Sequence, residues 1–207
     1  MIAAIENAML ARLKAASDAD ILGYRFRDLD SYPEDWDQYL KDKLEWRAPA
    51  AWVVFAGAEA PPRSDSAEFR YPGSFFLVVA AENSRNETAR RHGGEGSAEP
   101  GSYQLALDAI ALLAHSDLGL PDISPLVPGA IRTVARPQAL AARNCSLMAV
   151  AFATDFPVPL VTDLEGEEPV PFTGFHVNWD VPPFGNVTPP LPADATADAT
   201  DHVELPQ

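Results

Sequence analysis

The sequence predicts an α+β fold: a mainly antiparallel sheet with helices packed on one face, plus an extended C-terminal arm. Three observations carry this. Residues 73–81 hold five large apolar side chains in a row, Phe75 to Val79, and residues 50–56 repeat the theme with Trp52-Val53-Val54-Phe55. Aromatic and β-branched residues favour strands, and the lack of alternation means that both faces of each strand are buried. One face then needs helices over it. The other needs a second layer, from the chain's own tail or from another subunit. The second observation is helical periodicity at residues 2–16 and again after residue 102. The third is a change of composition near residue 156, which divides the chain into a domain at 1–155 and a proline-rich acidic arm at 156–207.

In order along the chain, Ile2, Ile5, Met9 and Leu13 recur at spacings of three and four, giving an amphipathic helix over 2–16. Ile21, Tyr24 and Phe26, with Arg25 and Arg27 between and beside them, suggest a short strand. Asp30 to Pro33 reads as a break, and Trp36, Tyr39 and Leu40 as a short helix over 34–43. Residues 57–70 contain Pro61 and Pro62 among charged and small residues, a composition suited to a long exposed loop or hairpin tip. The strands on either side of it are therefore expected to be antiparallel neighbours. Gly93, Gly94, Gly96 and Pro100 mark a connector. The next helix, over 102–114, is expected to take Ser102 as its cap and to bury Tyr103, Leu105, Leu107, Ala111 and Leu112 with Ile110 beside them. Leu118-Gly119-Leu120-Pro121 ends that region. Short strands are expected at 130–135 and 144–153.

From residue 156 onward there are ten prolines and no lysine or arginine, and nine acidic residues fall between Asp163 and Glu204. Phe172, Phe175, Val177, Trp179, Val181 and Phe184 share this stretch, whereas a purely disordered tail is poor in aromatics. Alternation around 172–181 therefore predicts an extended arm that pairs with something. The last sixteen residues read as disordered.

Composition excludes several functions. The net charge of -15 argues against direct nucleic-acid binding, which needs a basic footprint. The single cysteine, Cys145, rules out an internal disulfide framework and reads as a small buried hydrophobe. The N-terminus has no signal-peptide pattern and no stretch is long and apolar enough to span a membrane, so a soluble protein made in the cytoplasm is expected. His92, His115, His176 and His202 are scattered, without ligand spacing for a metal. Glu165, Glu167 and Glu168 lack a calcium-loop pattern, and Gly94-Glu95-Gly96-Ser97 supplies neither a nucleophile elbow nor a dinucleotide loop. No catalytic, cofactor or metal site is expected. The densest basic spot is Arg85, Arg90 and Arg91 around Asn86. It reads either as a solvated face or as a subunit interface whose forked guanidinium groups hold carboxylates of a neighbouring copy, from Asp163 to Glu168 or from the aromatic arm. Phe172, Phe175, Trp179 and Phe184 are the matching arm residues, with Trp179 as the anchor.

The sequence also resembles the small tail proteins of Mu-like phages and prophages, a family assigned to the tail terminator role in contractile tails. The likeness runs through Met1-Ile2-Ala3-Ala4-Ile5-Glu6 with Leu13, Pro49-Ala50-Ala51-Trp52-Val53 and Phe55-Ala56-Gly57. It is strongest at Val78-Val79-Ala80-Ala81, Asn83, Arg85-Asn86-Glu87 and Ala89-Arg90-Arg91, and closes with Gly101-Ser102-Tyr103-Gln104-Leu105 and Leu118-Gly119-Leu120. It covers roughly residues 1–155. The resemblance implies a ring, a homohexamer, on top of the tail tube, ending tube and sheath polymerisation and joining the neck and head. Its implied partners are itself, the tail tube protein, the tail sheath protein and neck or connector proteins. Its place would be the virion, with DNA passing an acidic lumen that repels it. The arm beyond 155 departs from the family pattern. Two other readings remain open: another neck or tail-completion protein of the virion, and an unrelated soluble enzyme on the same core.

Overall fold

A computed structural model describes residues 1–43, 46–61, 68–94, 98–159, 174–179 and 199–204. The chain divides into two units, Met1–Leu160 and Val161–Gln207. The first contains α1 (Ile2–Asp18), β1 (Asp28–Ser31), α2 (Trp36–Asp42), β2 (Ala50–Ala58), β3 (Glu68–Glu82), α3 (Glu87–His92), α4 (Ser102–Leu113), β4 (Val127–Val134), a 3-10 turn at Gln138–Leu140 and β5 (Cys145–Pro159). One five-stranded sheet runs in the order β1-β2-β3-β5-β4. Every pair in it is antiparallel except β1 with β2. The fold class expected from sequence is the one observed.

The two apolar runs are central strands, as their patterning requires. β2 and β3 are antiparallel neighbours, with Val53 opposite Leu77 and Trp52 opposite Val78. Successive side chains of a strand point to opposite faces, and the sheet uses both. Phe75, Leu77, Val79 and Ala81 join Ala51, Val53, Met148, Val150 and Phe152 beneath Ile5, Met9 and Leu13 of α1 and Leu105, Ala109 and Leu113 of α4. The alternate residues, Val78 and Ala80 with Trp52, Leu147 and Ala149, form a second cluster with Trp36, Trp46 and Leu140. The two long helices therefore share one face. The short α2, Trp46 and the 3-10 turn supply the second layer, so that part of the opposite face is covered by the chain itself.

Several expectations change in detail. Ile21, Tyr24 and Phe26 do not form a strand; β1 begins at Asp28 and includes Asp30 and Ser31, which read as a break. Asp20 and Gly23 adopt positive φ (60° and 70°) and interrupt any extended run there. Tyr24 instead turns inward and donates its hydroxyl to Asp108 at 2.8 Å. Its polar sequence would not by itself make β1 a strand. Lys43 holds it, reaching Asp28 at 3.1 Å and Asp30 at 2.9 Å. Burial alone would lower the Lys43 pKa, but its hydrogen bonds to Asp30, Tyr39 and Asp28 outweigh this and raise it.

In α4 the buried positions are Ser102, Leu105, Ala106, Ala109 and Leu113, whereas Tyr103, Leu107 and Ala111 face outward. Leu107 is 57% exposed. Residues 103, 105 and 107 share the face of a strand, not of a helix. The cap is Gly101, and the Ser102 hydroxyl instead meets that of Ser146 at 2.9 Å.

The short α3 has no apolar stripe to announce it. Its start is fixed by Asn86, whose side chain accepts the Ala89 N–H at 2.7 Å. Finally, β4 starts earlier than expected and β5 continues through Pro157 to Pro159. Prolines are tolerated there because β4 pairs with β5 only as far as Ala153 and, past the Ser124 N–H that the Asp155 carbonyl accepts, no described strand flanks Pro157 and Pro159 on that side.

In the second unit β6 (Gly174–Trp179) and β7 (Ala199–Glu204) form an antiparallel pair. β7 lies inside the stretch that composition reads as disordered. Phe172 and Phe184 fall outside the described residues.

Candidate subunit interface

The basic residues singled out in sequence cluster around α3. Asn83 starts the turn by accepting the Arg85 N–H at 2.9 Å, and Asn86 caps the helix. Glu87 in its first turn and Arg90, Arg91 and His92 in its last complement the peptide dipoles. The helix stops at Gly93, with φ of 97°. A glycine is also required at 101, because a Cβ there would collide with the Arg91 carbonyl oxygen. The connector thus folds back so that the end of α3 meets the start of α4, and His92 packs against Tyr103 with ring centroids 5.4 Å apart.

The three arginines have different partners. Arg85 pairs with Glu99 at 3.2 Å, both side chains half exposed. Arg91 pairs with Glu87 one turn back. Exposed pairs of this kind contribute little to stability. Arg90 donates from Nε to the Asn83 carbonyl at 3.2 Å.

Beside them lies a residue outside the basic group picked out in sequence. Arg136 follows β4 and donates to the Arg143 carbonyl at 2.7 Å. Arg143 in turn holds Glu82 through two contacts of 2.9 and 3.0 Å and lies over the Trp46 ring, 4.3 Å from its centroid. Arg90, Arg91 and Arg136 together line a hollow of about 240 Å³ with Glu87, Thr133 and Ser146. Nothing in the local sequence links residues 90 and 136; β-sheet register brings them together.

Cys145 also borders this hollow. It is buried, and that burial pushes its thiol pKa up, which disfavours the reactive thiolate. Among the described residues no group of three His, Cys, Asp or Glu side chains could hold a metal ion. No helix among them is long and apolar enough to cross a membrane. Of the arm residues, Phe175 stands opposite Val203 and Trp179 opposite Ala199 in the β6–β7 register.

No curated protein matches the chain. Among solved structures, one match is titled "Virion of native gene transfer agent (GTA) particle", at 13% identity and TM-score 0.46, covering 76% of this chain and 98% of that one. That likeness is too low to carry an argument. The family model described as "Bacteriophage Mu, Gp37" matches residues 1–157, nearly the whole Met1–Leu160 unit. In keeping with the resemblance to Mu-like phage tail proteins, the chain belongs to the bacteriophage Mu Gp37 family.

Proposed function

We propose that this protein is a structural component of a phage particle and, more specifically, a tail terminator. It forms a closed ring of six copies on the last ring of the tail tube, ends tube and sheath polymerisation, and offers its other side to the neck and head. The observation that carries the reading is the family match across residues 1–157, which takes in helices α1 to α4, strands β1 to β4 and all but the end of β5.

Physical features support it. A closed ring needs two different surfaces on each subunit. The two ends of this sheet differ: β1 is four residues long and carries Asp28 and Asp30, whereas β4 is eight residues long and is followed by Arg136. The net charge of -15 suits a channel wall past which DNA moves without sticking. The role is structural, with no chemistry assigned to any side chain. The arm's Phe172, Phe175, Trp179 and Phe184 are proposed to contact a neighbouring subunit, sheath or neck protein, and Arg85, Asn86, Arg90 and Arg91 to lie at a subunit contact. Synthesis takes place in the host cytoplasm and the final location is the tail or neck of the virion.

The second reading, a neck or tail-completion protein, shares the same core and differs in what a deletion does. Removing the gene from a tail-producing phage should give tubes of uncontrolled length if the protein is the terminator. Tails of normal length that fail to join heads would assign it to the neck instead.

A further inference from the structure

The hollow between α3 and β4 is positive within a strongly negative chain. Among the described residues only Arg91 of its three arginines is paired there with a carboxylate, Glu87. Main-chain carbonyls orient Arg90 and Arg136, which positions a charge without neutralising it. Alongside runs β4, the last strand of the sheet. Among the described residues no strand pairs with its outer edge, and Val127 and Ile131 on it are 55% and 43% exposed. Past the irregularity between Pro128 and Ile131, the regular stretch from Ile131 to Val134 leaves an open edge that is a template for another strand.

The same chain carries a segment of matching chemistry. The Val161–Gln207 unit has nine carboxylates and no lysine or arginine. Its described part is a two-stranded ribbon, β6 with β7, and an isolated ribbon of two strands is marginal in water.

We propose that the acidic Val161–Gln207 unit of a second copy adds to the β4 edge, with its carboxylates held in the Arg90–Arg91–Arg136 hollow. Strand addition supplies main-chain hydrogen bonds, and the forked guanidinium groups supply selectivity for carboxylates. Repeated from copy to copy, this head-to-tail contact joins unlike surfaces, as a ring demands. The inference rests on the ring reading and names the contact that builds it.

Two full-length variants test it. In one, Arg90→Glu and Arg136→Glu block the acceptor. In the other, all nine acids of the 161–207 unit become Asn or Gln. Native mass spectrometry should show that the unaltered chain forms a closed oligomer. Each variant alone should lose association on the order of a hundredfold, as expected when one side of a desolvated charge contact is removed. An equimolar mixture should form one-to-one dimers, since one variant keeps the acceptor and the other the arm. Circular dichroism melting checks that both fold. If the double reversal unfolds, Arg136→Gln should weaken association in the same direction.

Rings of normal stoichiometry from the acid-free variant, or two folded variants that fail to complement, would overturn the proposal while leaving the ring intact. An unaltered chain that stays monomeric at every concentration would overturn the ring reading itself. Duplex DNA bound by the unaltered chain and lost on Arg90→Glu/Arg136→Glu would make the hollow a phosphate site, and the proposal would fall.

Discussion

Leu105 and Leu107 sit two residues apart on α4 and should respond very differently to the same substitution. Leu105 is fully buried in the core under α1 and α4, whereas Leu107 is 57% exposed. Leu→Ala removes three carbons, worth about 2.4 kcal/mol at about 0.8 kcal/mol per methylene. A residual cavity of roughly 60 Å³ adds about 1.4 kcal/mol at about 24 cal/mol per Å³. Leu105→Ala should therefore cost about 3–4 kcal/mol. Leu107→Ala should stay within about 0.5 kcal/mol, since alanine is at least as good a helix former and little burial is lost. Urea unfolding reads both as shifts in midpoint at unchanged slope. It should be run at two protein concentrations, so that any effect on association separates from folding. Equal losses at the two positions, or the larger loss at Leu107, would refute the assigned phase of α4 and with it the packing of the helix layer.

Other consequences follow from single contacts. Leu77, fully buried on the central strand β3, should cost about 2–5 kcal/mol when replaced by Ala, measured by the same unfolding experiment. Asn86→Ala removes the α3 cap and should cost about 1 kcal/mol, with faster amide exchange confined to residues 87–92. Burial, then the hydrogen bond and charge of Asp108, raise the Tyr24 pKa above its ordinary value. Its contribution to stability is therefore complete below about pH 10 and is lost as pH rises through the folded value. A melting series from pH 8 to 11 should show a shallower alkaline loss in Tyr24→Phe than in the unaltered chain.

The parts of the fold legible in sequence are those set by periodicity over many residues. The runs Trp52–Phe55 and Phe75–Val79 and the stripe Ile5-Met9-Leu13 each point one way. Trp52, Val53, Phe75, Leu77, Val78, Val79 and the stripe are buried, whereas Val54, Phe55 and Phe76 are only partly covered, so the second face is not buried along its whole length as the patterning suggests. Apolar density without phase misleads, as at α4, where Leu107 counts as hydrophobic but lies on the solvent side. Local polar chemistry was harder still. In β1 the aspartates pair with Lys43, fifteen residues away from Asp28, and α3 starts at one capping asparagine. Ile21, Tyr24 and Phe26 look like a strand until Asp20 and Gly23 break it. At the candidate interface, sequence picks out Arg90 and Arg91 because they are adjacent. Arg136 joins them only through the pairing of β4 with β5, which a linear reading does not display. The signal that was available is the lone pair of basic residues, Arg132 and Arg136, flanking the end of an apolar strand.

The most direct measurement of the central claim is a cryo-EM map of the head-proximal end of tails carrying this protein. The account predicts one closed ring of this chain, six copies, seated on the last ring of tube subunits, with the β4 edge of each copy buried against its neighbour. A map that places the chain away from the tube end, or in a ring with no contact to the tube, would contradict it.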